Sequence, residues 1–413
     1  FLAEENIGLE IADFSDLSRS PVQVSTFRTG GYAMRIVTQG SYAYVANEKD
    51  GFSILDISNI SQPMEIGYLT DIEFPEIFDL VVAGDYAFLS NYDDGLAIVD
   101  ISNPYNPTVV HQNETISVTR LFIYNNYLFT AGYLDDVQVF DITDPENPSF
   151  VISYDFSGYI NSVFIFDDYL YALSYSRLTI LDISDIYSPA VMFSNDYGSY
   201  LSSAYVSEDT LFLTDLEFDG LGVYNVSDKS NVQYIDGLSS PAGYDVFVEG
   251  NYLYYSSSEQ VEVYDCSNVS DLFLLGYYDH DYLTEGLFVN EGLVFLASGF
   301  RGMDIIAYDT DSDMLPNYAE TEIYGSNPNA ADSDLDSIPD GEEVYYYNTD
   351  PADYDTDDDG LSDFEEITNY LTDPLISDSD GDGIDDGEEV TLGSDDFITD
   401  PLDDDTDDDG LQD

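Results

Sequence analysis

Residues 86–104 read YAFLSNYDDGLAIVDISNP, and the two apolar runs in this stretch decide the fold. The pair recurs through residues 1–308 with a period of about 42 residues. Copies of the first run start at Tyr42, Tyr127, Tyr169, Tyr252 and Leu293, with a weaker one at Thr210, and copies of the second start at Ile54, Val139, Ile180 and Val263. Repeats of this length, rich in β-formers with turn residues between them, predict the four-stranded blades of a β-propeller.

The number of copies predicts seven blades, with eight as the alternative. Residues 1–13 align with residues 44–56, and the last unit supplies three strands near 284–308, so N-terminal strands are expected to close the ring. One strand is surplus in this count, either residues 8–14 or 302–308. We expect it outside the ring or in a neighbouring molecule, because strand edges are pairing sites. The ends, mid-strand at Phe1 and before a closing Glu at Asp413, suggest part of a longer polypeptide or a processed subunit.

This repeat resembles the LVIVD-repeat propellers over about three quarters of the chain. The pattern Ile/Val-Asp-Ile-Ser/Thr-Asx-Pro carries the resemblance and is clearest at residues 98–104 and 139–145. Its Asp is interpreted as a turn builder that binds backbone N–H groups, since Asp ahead of Ser-Asx-Pro favours a turn. The Asp residues concerned are Asp56, Asp100, Asp141, Asp182 and Asp265, with Asn225 in the same role.

A different repeat occupies residues 309–413, where acidic loops start at 309, 332, 355, 378 and 405. The two clearest copies supply Asp at positions 1, 3, 5 and 9, a backbone carbonyl at 7, Glu at 12 and Gly at 6. This is the EF-hand loop pattern, in which a curled chain offers oxygens to a hard cation. Their predicted ligands are Asp355, Asp357, Asp359, Leu361, Asp363 and Glu366, then Asp378, Asp380, Asp382, Ile384, Asp386 and Glu389.

Three further copies depart from the pattern. Met314 and Ser337 stand where Gly is expected, and a Cβ is strained in a left-handed turn. The last copy stops before its Glu. Their predicted ligands are Asp309, Asp311, Asp313, Leu315, Asn317 and Glu320; Asp332, Asp334, Asp336, Ile338, Asp340 and Glu343; and Asp405, Asp407, Asp409, Leu411 and Asp413.

The pattern DxDxDGxxDxxE resembles thrombospondin type 3-like calcium repeats of surface and secreted proteins. The resemblance implies an elongated stalk over residues 309–413 with little regular secondary structure and four to five Ca²⁺ sites, beside a propeller over residues 1–308. A disordered acidic tail is the alternative. An Asx-Pro step precedes each later loop, at Asn327, Asp350, Asp373 and Asp400, either as a turn or as a further ligand.

The net charge of -77, from 85 acidic and 8 basic residues, limits the classes of partner that the protein can bind. Nucleic acid and anionic membranes are repelled by such a surface. Residues 309–413 contain no Lys or Arg, so cations must neutralise them if they fold. The acidity of the first 308 residues fits a saline habitat as well. No apolar run is long enough to span a bilayer.

Catalytic motifs are lacking, and we predict that the protein is not an enzyme. His111 and His280 are interpreted as solvent-facing, and Cys266 as a buried small hydrophobe. One ring of positions, at the start of the inner strands, falls near the predicted channel mouth. Ion pairs between blades explain it best, with a small anionic ligand as the alternative. The ring consists of Arg35, Asp79, Arg120, Ser162, Ser203, Asp245 and Gly286.

Taken together, these patterns predict an extracellular or cell-surface structural or adhesive protein, with the propeller as a recognition or assembly module on a calcium-stiffened stalk. Sequons at Asn59, Asn113, Asn225 and Asn268 favour export. The expected partner is a protein, a surface glycan or further copies of the chain. The alternatives are a filament or surface-layer subunit, and a propeller enzyme with its site at the channel mouth.

Overall fold

The chain divides into two compact units. One is Ser20–Tyr308, which contains the propeller, and the other consists of Phe1–Arg19 and Asp309–Asp413, which includes the acidic repeat array. The computed structural model describes residues 2–4, 8–10, 22–29, 31–60, 62–69, 76–91, 95–113, 116, 118–132, 136–156, 158–216, 220–238, 242–257, 260–279, 286–299, 302–391 and 398–406.

Thirty β-strands are described, and all those from the third onward belong to four-stranded antiparallel sheets. Their bounds are β1 Leu2–Glu4, β2 Gly8–Glu10, β3 Val22–Phe27, β4 Arg35–Gln39, β5 Tyr42–Ala46, β6 Phe52–Asp56, β7 Met64–Leu69, β8 Ile77–Ala83, β9 Tyr86–Asn91, β10 Gly95–Asp100, β11 Thr108–Asn113, β12 Arg120–Tyr124, β13 Tyr127–Ala131, β14 Asp136–Asp141, β15 Ser149–Asp155, β16 Ser162–Phe166, β17 Tyr169–Ser174, β18 Arg177–Asp182, β19 Ala190–Asp196, β20 Leu201–Ser207, β21 Thr210–Asp215, β22 Leu221–Asn225, β23 Gln233–Leu238, β24 Gly243–Glu249, β25 Tyr252–Ser257, β26 Gln260–Asp265, β27 Phe273–Asp279, β28 Gly286–Asn290, β29 Leu293–Ala297 and β30 Met303–Ala307.

The four-stranded sheets are the seven blades of a propeller. Blades 1 to 6 run in chain order from β4–β7 to β24–β27, and blade 7 combines β28, β29 and β30 with β3. Strand β3 pairs antiparallel with β30, with Val22 opposite Ala307, so an N-terminal strand closes the ring. The prediction of seven blades closed in this way is confirmed, and the eight-bladed alternative is wrong.

The structure decides which strand at the two chain ends is surplus. Met303–Ala307 is not surplus, because it forms the third strand of blade 7. The closing strand is Val22–Phe27 rather than a strand from residues 1–13. Gly8–Glu10 pairs with Leu2–Glu4 in a two-stranded sheet of its own, and residues 11–14 lie outside the described part. Of the two candidates, the surplus strand is therefore the one within residues 8–14, and none of the seven blades contains it. The alignment of residues 1–13 with residues 44–56 predicted its register, since Leu2 lies opposite Glu10 as Val45 lies opposite Ser53.

Apolar packing between neighbouring blades holds the ring together. Tyr44 and Phe52 of blade 1 share one buried cluster with Leu89 and Ala97 of blade 2. The second strand of each blade is buried on both faces, whereas the fourth strand leaves large side chains such as Tyr68 exposed. Burying one such apolar side chain contributes about 1.5–3 kcal/mol, so the blades cohere without any ion.

The recurrent Asp of the propeller signature closes the turn after the third strand. The Asp182 carboxylate accepts hydrogen bonds from the Ser184 hydroxyl and backbone N–H at 2.7 and 3.0 Å, and these bonds lower the pKa of Asp182. The same N–H bond recurs at Asp56, Asp100, Asp141, Asp265 and Asn225. The interpretation of this residue as a turn builder is confirmed.

In the acidic array, each described repeat consists of a loop followed by a short helix. Helices α1 Asn317–Ala319, α2 Asp340–Glu342 and α3 Asp363–Glu365 each continue into one π-helical turn, at Glu320–Tyr324, Glu343–Tyr347 and Glu366–Tyr370, and α4 covers Asp386–Val390. Every helix begins at loop position 9, so the position-12 Glu lies near its first turn. The prediction of little regular secondary structure overlooked these helices.

Candidate metal centre

Carboxylates fold each loop by accepting backbone hydrogen bonds. The Asp at position 5 receives the N–H of position 7, as from Leu361 to Asp359 Oδ1 at 2.7 Å and from Ile384 to Asp382 Oδ1 at 2.8 Å. The Asp at position 1 receives the N–H of position 6, as from Gly360 to Asp355 Oδ2 at 2.8 Å. These bonds point the chain's oxygens inward, which is the arrangement that a hard cation requires.

Position 6 takes a left-handed backbone in all four described loops. The φ angles are 81° at Met314, 95° at Ser337 and 102° at both Gly360 and Gly383. An ideal Cβ at Gly360 meets nothing within 4 Å, so a side chain there would cost backbone strain alone. The predicted strain at Met314 and Ser337 therefore falls at the position that the pattern indicated.

Exchanging the position-6 residues of two loops should shift stability in opposite directions. We expect Ser337→Gly to stabilise the array and Gly360→Ser to destabilise it, each by about 1 kcal/mol, because a Cβ is disfavoured in the left-handed region. Denaturant unfolding of the calcium-loaded chain, followed by the array's circular dichroism, measures both. Shifts of the same sign in the two variants would contradict this account.

Acidic side chains converge within each loop. In the first three loops the carboxylates at positions 1, 3 and 5 approach one another within 4.8 Å, a spacing that could hold a metal ion. The groups are Asp309, Asp311 and Asp313; Asp332, Asp334 and Asp336; and Asp355, Asp357 and Asp359.

Buried carboxylate oxygens without a partner occur in all four described loops. Glu320, Glu343 and Glu366 at position 12 have no exposed surface, and Glu389 is 1% exposed. Both oxygens of Glu320 and one oxygen of each of the other three lack a hydrogen-bond donor. A buried unpaired charge is costly, so each of these oxygens needs either a proton or a positive group, and residues 309–413 contain no Lys or Arg that could supply the latter.

Burial and like charge raise the pKa of the same glutamates. Burial raises the pKa of Glu320 to about 9, with the Asp311 and Asp313 carboxylates adding to the effect. Burial likewise raises the pKa of Glu343 to about 9 and of Glu366 to about 8. The charged form of each glutamate is thus disfavoured without a cation, and a bound cation would reverse that preference.

Position 9 connects consecutive loops, which sequence reasoning missed. Within its own loop Asp363 accepts bonds from the Thr356 N–H and hydroxyl. Across repeats, Asp340 lies within 4.8 Å of Asp313 and Glu320 of the preceding loop, and Asp386 lies equally near Asp359 and Glu366. Both of these clusters therefore draw their oxygens from two consecutive repeats.

Backbone contacts reinforce this connection. The Gly387 N–H donates to Asp359 Oδ2 at 3.1 Å, and the Phe364 N–H donates to Asp336 Oδ2 at 2.9 Å. A Cβ at Gly387 would lie 2.4 Å from the Asp359 carbonyl oxygen, so a side chain there would require the backbone of this repeat to shift. The constant spacing of 23 residues between loop starts was the available signal, since equal spacing brings equivalent positions into contact.

A threonine downstream of each later helix also escaped prediction. The hydroxyls of Thr349, Thr372 and Thr399 donate to one oxygen of Glu343, Glu366 and Glu389 at 3.2, 3.1 and 2.9 Å. The other oxygen of each glutamate is the one without a donor. These threonines orient the glutamates toward the carboxylate clusters.

The fifth loop is largely beyond the described residues. Asp405 is described, whereas Asp407, Asp409, Leu411 and Asp413 lie outside that part of the chain. The Asx-Pro steps form turns: the Asp350 side chain accepts the Ala352 N–H at 3.1 Å, and Asp373 accepts the Leu375 N–H at 3.2 Å. The turn interpretation of these steps is the one that the contacts support.

In the propeller, the ring of inner-strand residues forms ion pairs between blades, as expected. Arg35 of blade 1 approaches Asp79 of blade 2 at 3.5 Å and Asp245 of blade 6 at 2.8 Å. The Arg35 side chain passes beside Gly286 of blade 7. A Cβ at Gly286 would lie 3.2 Å from Arg35 Nη1. Cys266 is buried as predicted, His111 lies on the outer strand β11, and His280 is outside the described residues.

These features define a seven-bladed β-propeller joined in sequence to an acidic loop-helix array. The family model "LVIVD repeat" matches residues 30–71, 78–115, 117–156, 157–196 and 243–280, so the propeller carries LVIVD repeats. A search of curated proteins found no match.

Among solved structures, the chain is similar to the crystal structure of a computationally designed protein, Ika8. The sequences are 12% identical, the TM-score is 0.52, and the match covers 67% of this chain and 83% of the designed one. At this identity the likeness supports the fold alone. In the described part of the chain, no helix is long and apolar enough to cross a membrane.

Proposed function

We propose that the array binds Ca²⁺, one ion or more in each loop, and folds as it does so. The observation that carries this proposal is the set of buried, unpartnered glutamate oxygens described above. Calcium accepts six to eight oxygens in flexible geometry, and carboxylates at 1, 3, 5 and 12 with a carbonyl at 7 match that demand. The fit supports the thrombospondin type 3-like resemblance of these repeats.

The shared clusters imply that neighbouring sites support one another. An ion held by Asp359 and Glu366 would also attract Asp386, which is the first residue of helix α4 in the next repeat. Binding in one loop therefore orders a ligand-bearing helix of the next. Because folding and binding are a single event in such modules, the array should gain stiffness as calcium is taken up.

For the whole chain, we propose an extracellular or cell-surface structural or adhesive role, with the propeller as the recognition module and the loaded array as its stalk. The proposed calcium binding and the resemblance of the repeats to the thrombospondin type 3-like pattern support this role. The partner would be a protein or a surface glycan.

A filament or surface-layer subunit is the second candidate. Large apolar side chains on the fourth strands of several blades favour it, because exposed apolar surface marks contact sites. Tyr68, Phe150, Val191, Tyr234 and Phe273 are each about 60% exposed or more. Other copies of this chain would cover them.

Sedimentation velocity of the intact chain, in calcium and in chelator, tests the proposal. We expect calcium to raise the sedimentation coefficient at constant monomer mass, because the array contracts from a self-repelling chain into an ordered one. A large increase in mass, with regular polymers in electron micrographs, would favour the filament. Identical sedimentation in both conditions would contradict calcium-coupled folding.

A further inference from the structure

The propeller's central channel contains a collar of aromatic rings. In blades 3 to 7, the innermost strand carries an aromatic residue two positions after its member of the channel-mouth set that begins with Arg35. These five aromatic side chains contact one another around the channel. Their centroids are 5.4 Å apart for Phe122–Phe164, 5.0 Å for Phe164–Tyr205, 4.8 Å for Tyr205–Phe247 and 5.8 Å for Phe247–Phe288. Such a surface suits a flat apolar body.

The collar is incomplete at blades 1 and 2. The equivalent positions there are Val37 and Val81, which are much smaller than the aromatic residues of the other five blades. All seven side chains line a cavity of about 230 Å³. The cavity therefore exists because two blades lack the bulk that the others supply.

Polar groups border one end of this cavity, and most of them are already engaged. Asp79 accepts the N–H groups of Leu80 and Leu121 at 3.0 and 2.8 Å and pairs with Arg35. Asp245 accepts the Ser203 hydroxyl at 2.7 Å and also pairs with Arg35. These two carboxylates thus connect neighbouring blades through hydrogen bonds and ion pairs, and they are not available to a ligand.

Two side chains on adjacent blades retain donors for a ligand, although the charge of one of them, Arg120, also acts on Asp79. Arg120 donates through Nη1 to the Thr119 carbonyl at 2.9 Å, and no carboxylate of the described residues lies within 4.0 Å of its guanidinium. The Ser162 hydroxyl has no hydrogen-bond partner among the described residues, and both side chains line the cavity. Phe122 and Phe164 follow them by two residues on the same strands, hence on the same channel-facing side.

We propose that the channel binds a small aromatic carboxylate. Its ring lies against Phe122 and Phe164, in the space left by Val37 and Val81, and its carboxylate accepts hydrogen bonds from Arg120 and Ser162. A guanidinium and a hydroxyl above an aromatic wall form the combination of few polar groups and apolar lining that small-molecule sites use. This inference is independent of calcium, since none of these residues belongs to the array.

Calorimetric titration of the intact chain with 2-naphthoate tests the site. We expect one saturable site with a dissociation constant on the order of 1 mM or tighter, which is the scale for a ligand of this size. Arg120→Gln should weaken binding about tenfold or more, because it removes a charged donor. Val81→Phe should abolish binding, because the larger side chain fills part of the space that the ligand's ring would occupy. Arg177→Gln should leave affinity unchanged, because Arg177 is an exposed residue at the start of the third strand of blade 4 and does not line the cavity.

Saturation-transfer NMR on the unaltered protein provides a readout that no variant can confuse. Irradiating the protein's methyl protons, whose signals do not overlap those of naphthoate, should transfer saturation to the naphthalene ring. The neutral ketone 2-acetylnaphthalene should bind clearly more weakly than the carboxylate. Equal binding of the ketone, the absence of saturable naphthoate binding, or affinity unchanged in both Arg120→Gln and Val81→Phe would each overturn the proposal.

Discussion

Chelating calcium is expected to unfold the acidic array and to leave the propeller folded. Each described loop buries a position-12 glutamate beside several aspartates, and residues 309–413 contain no Lys or Arg to compensate them. An uncompensated buried charge costs several kcal/mol, so four such loops exceed the roughly 5–15 kcal/mol that stabilise an ordinary domain. The propeller's cohesion comes from apolar packing between blades and does not depend on an ion.

Limited proteolysis of the intact chain, with and without EGTA, is the direct measurement. In chelator we expect rapid cleavage after residue 308 and a resistant fragment that contains the seven blades. Readdition of calcium should restore protection of the array. Magnesium should restore less, because it demands stricter octahedral geometry and keeps its waters. A digestion pattern that EGTA leaves unchanged would show that calcium does not order these repeats.

Replacing one closing glutamate should remove at least one calcium site. Glu389 is buried, with one oxygen bonded to the Thr399 hydroxyl at 2.9 Å and the other without a donor. Glu389→Gln keeps the size of the side chain and an acceptor for Thr399 but removes the charged bidentate group that position 12 contributes. We expect the number of bound ions to fall and the preceding loop to bind more weakly, because Asp386 of the same helix lies beside Asp359 and Glu366.

The neighbouring residue provides a matched control. Glu388 lies in the same helix and is exposed, so Glu388→Gln makes the same change of charge without touching the cluster. Equilibrium dialysis with atomic absorption should give the wild-type stoichiometry for Glu388→Gln and a lower one for Glu389→Gln. Equal stoichiometry in all three proteins would mean that the position-12 glutamate is not a ligand and that the EF-hand-like assignment is wrong.

The sequence alone determined the repeat units of this protein. The period of about 42 residues predicted the blades, because apolar runs that form strands and segments that form turns recur in the same order in each repeat. The Asp of the Ile-Ser-Asx-Pro signature was predicted as a turn builder, since that bond joins residues only two apart. The left-handed residue at position 6 of the acidic loops was predictable for the same reason, because it depends on residues within one loop.

Only the tertiary structure decided how the units meet. Pairing of Val22–Phe27 with Met303–Ala307 joins residues about 280 apart, and from the sequence alone either residues 8–14 or residues 302–308 could have been the strand left out of the ring. The placement of Asp340 and Asp386 beside the preceding loop depends on the packing of one repeat on the next. The channel cavity likewise arises from seven strands that come from separate repeats. Periodicity determines a unit because its bonds are local, whereas ring closure, shared clusters and the channel depend on contacts that only the complete fold creates.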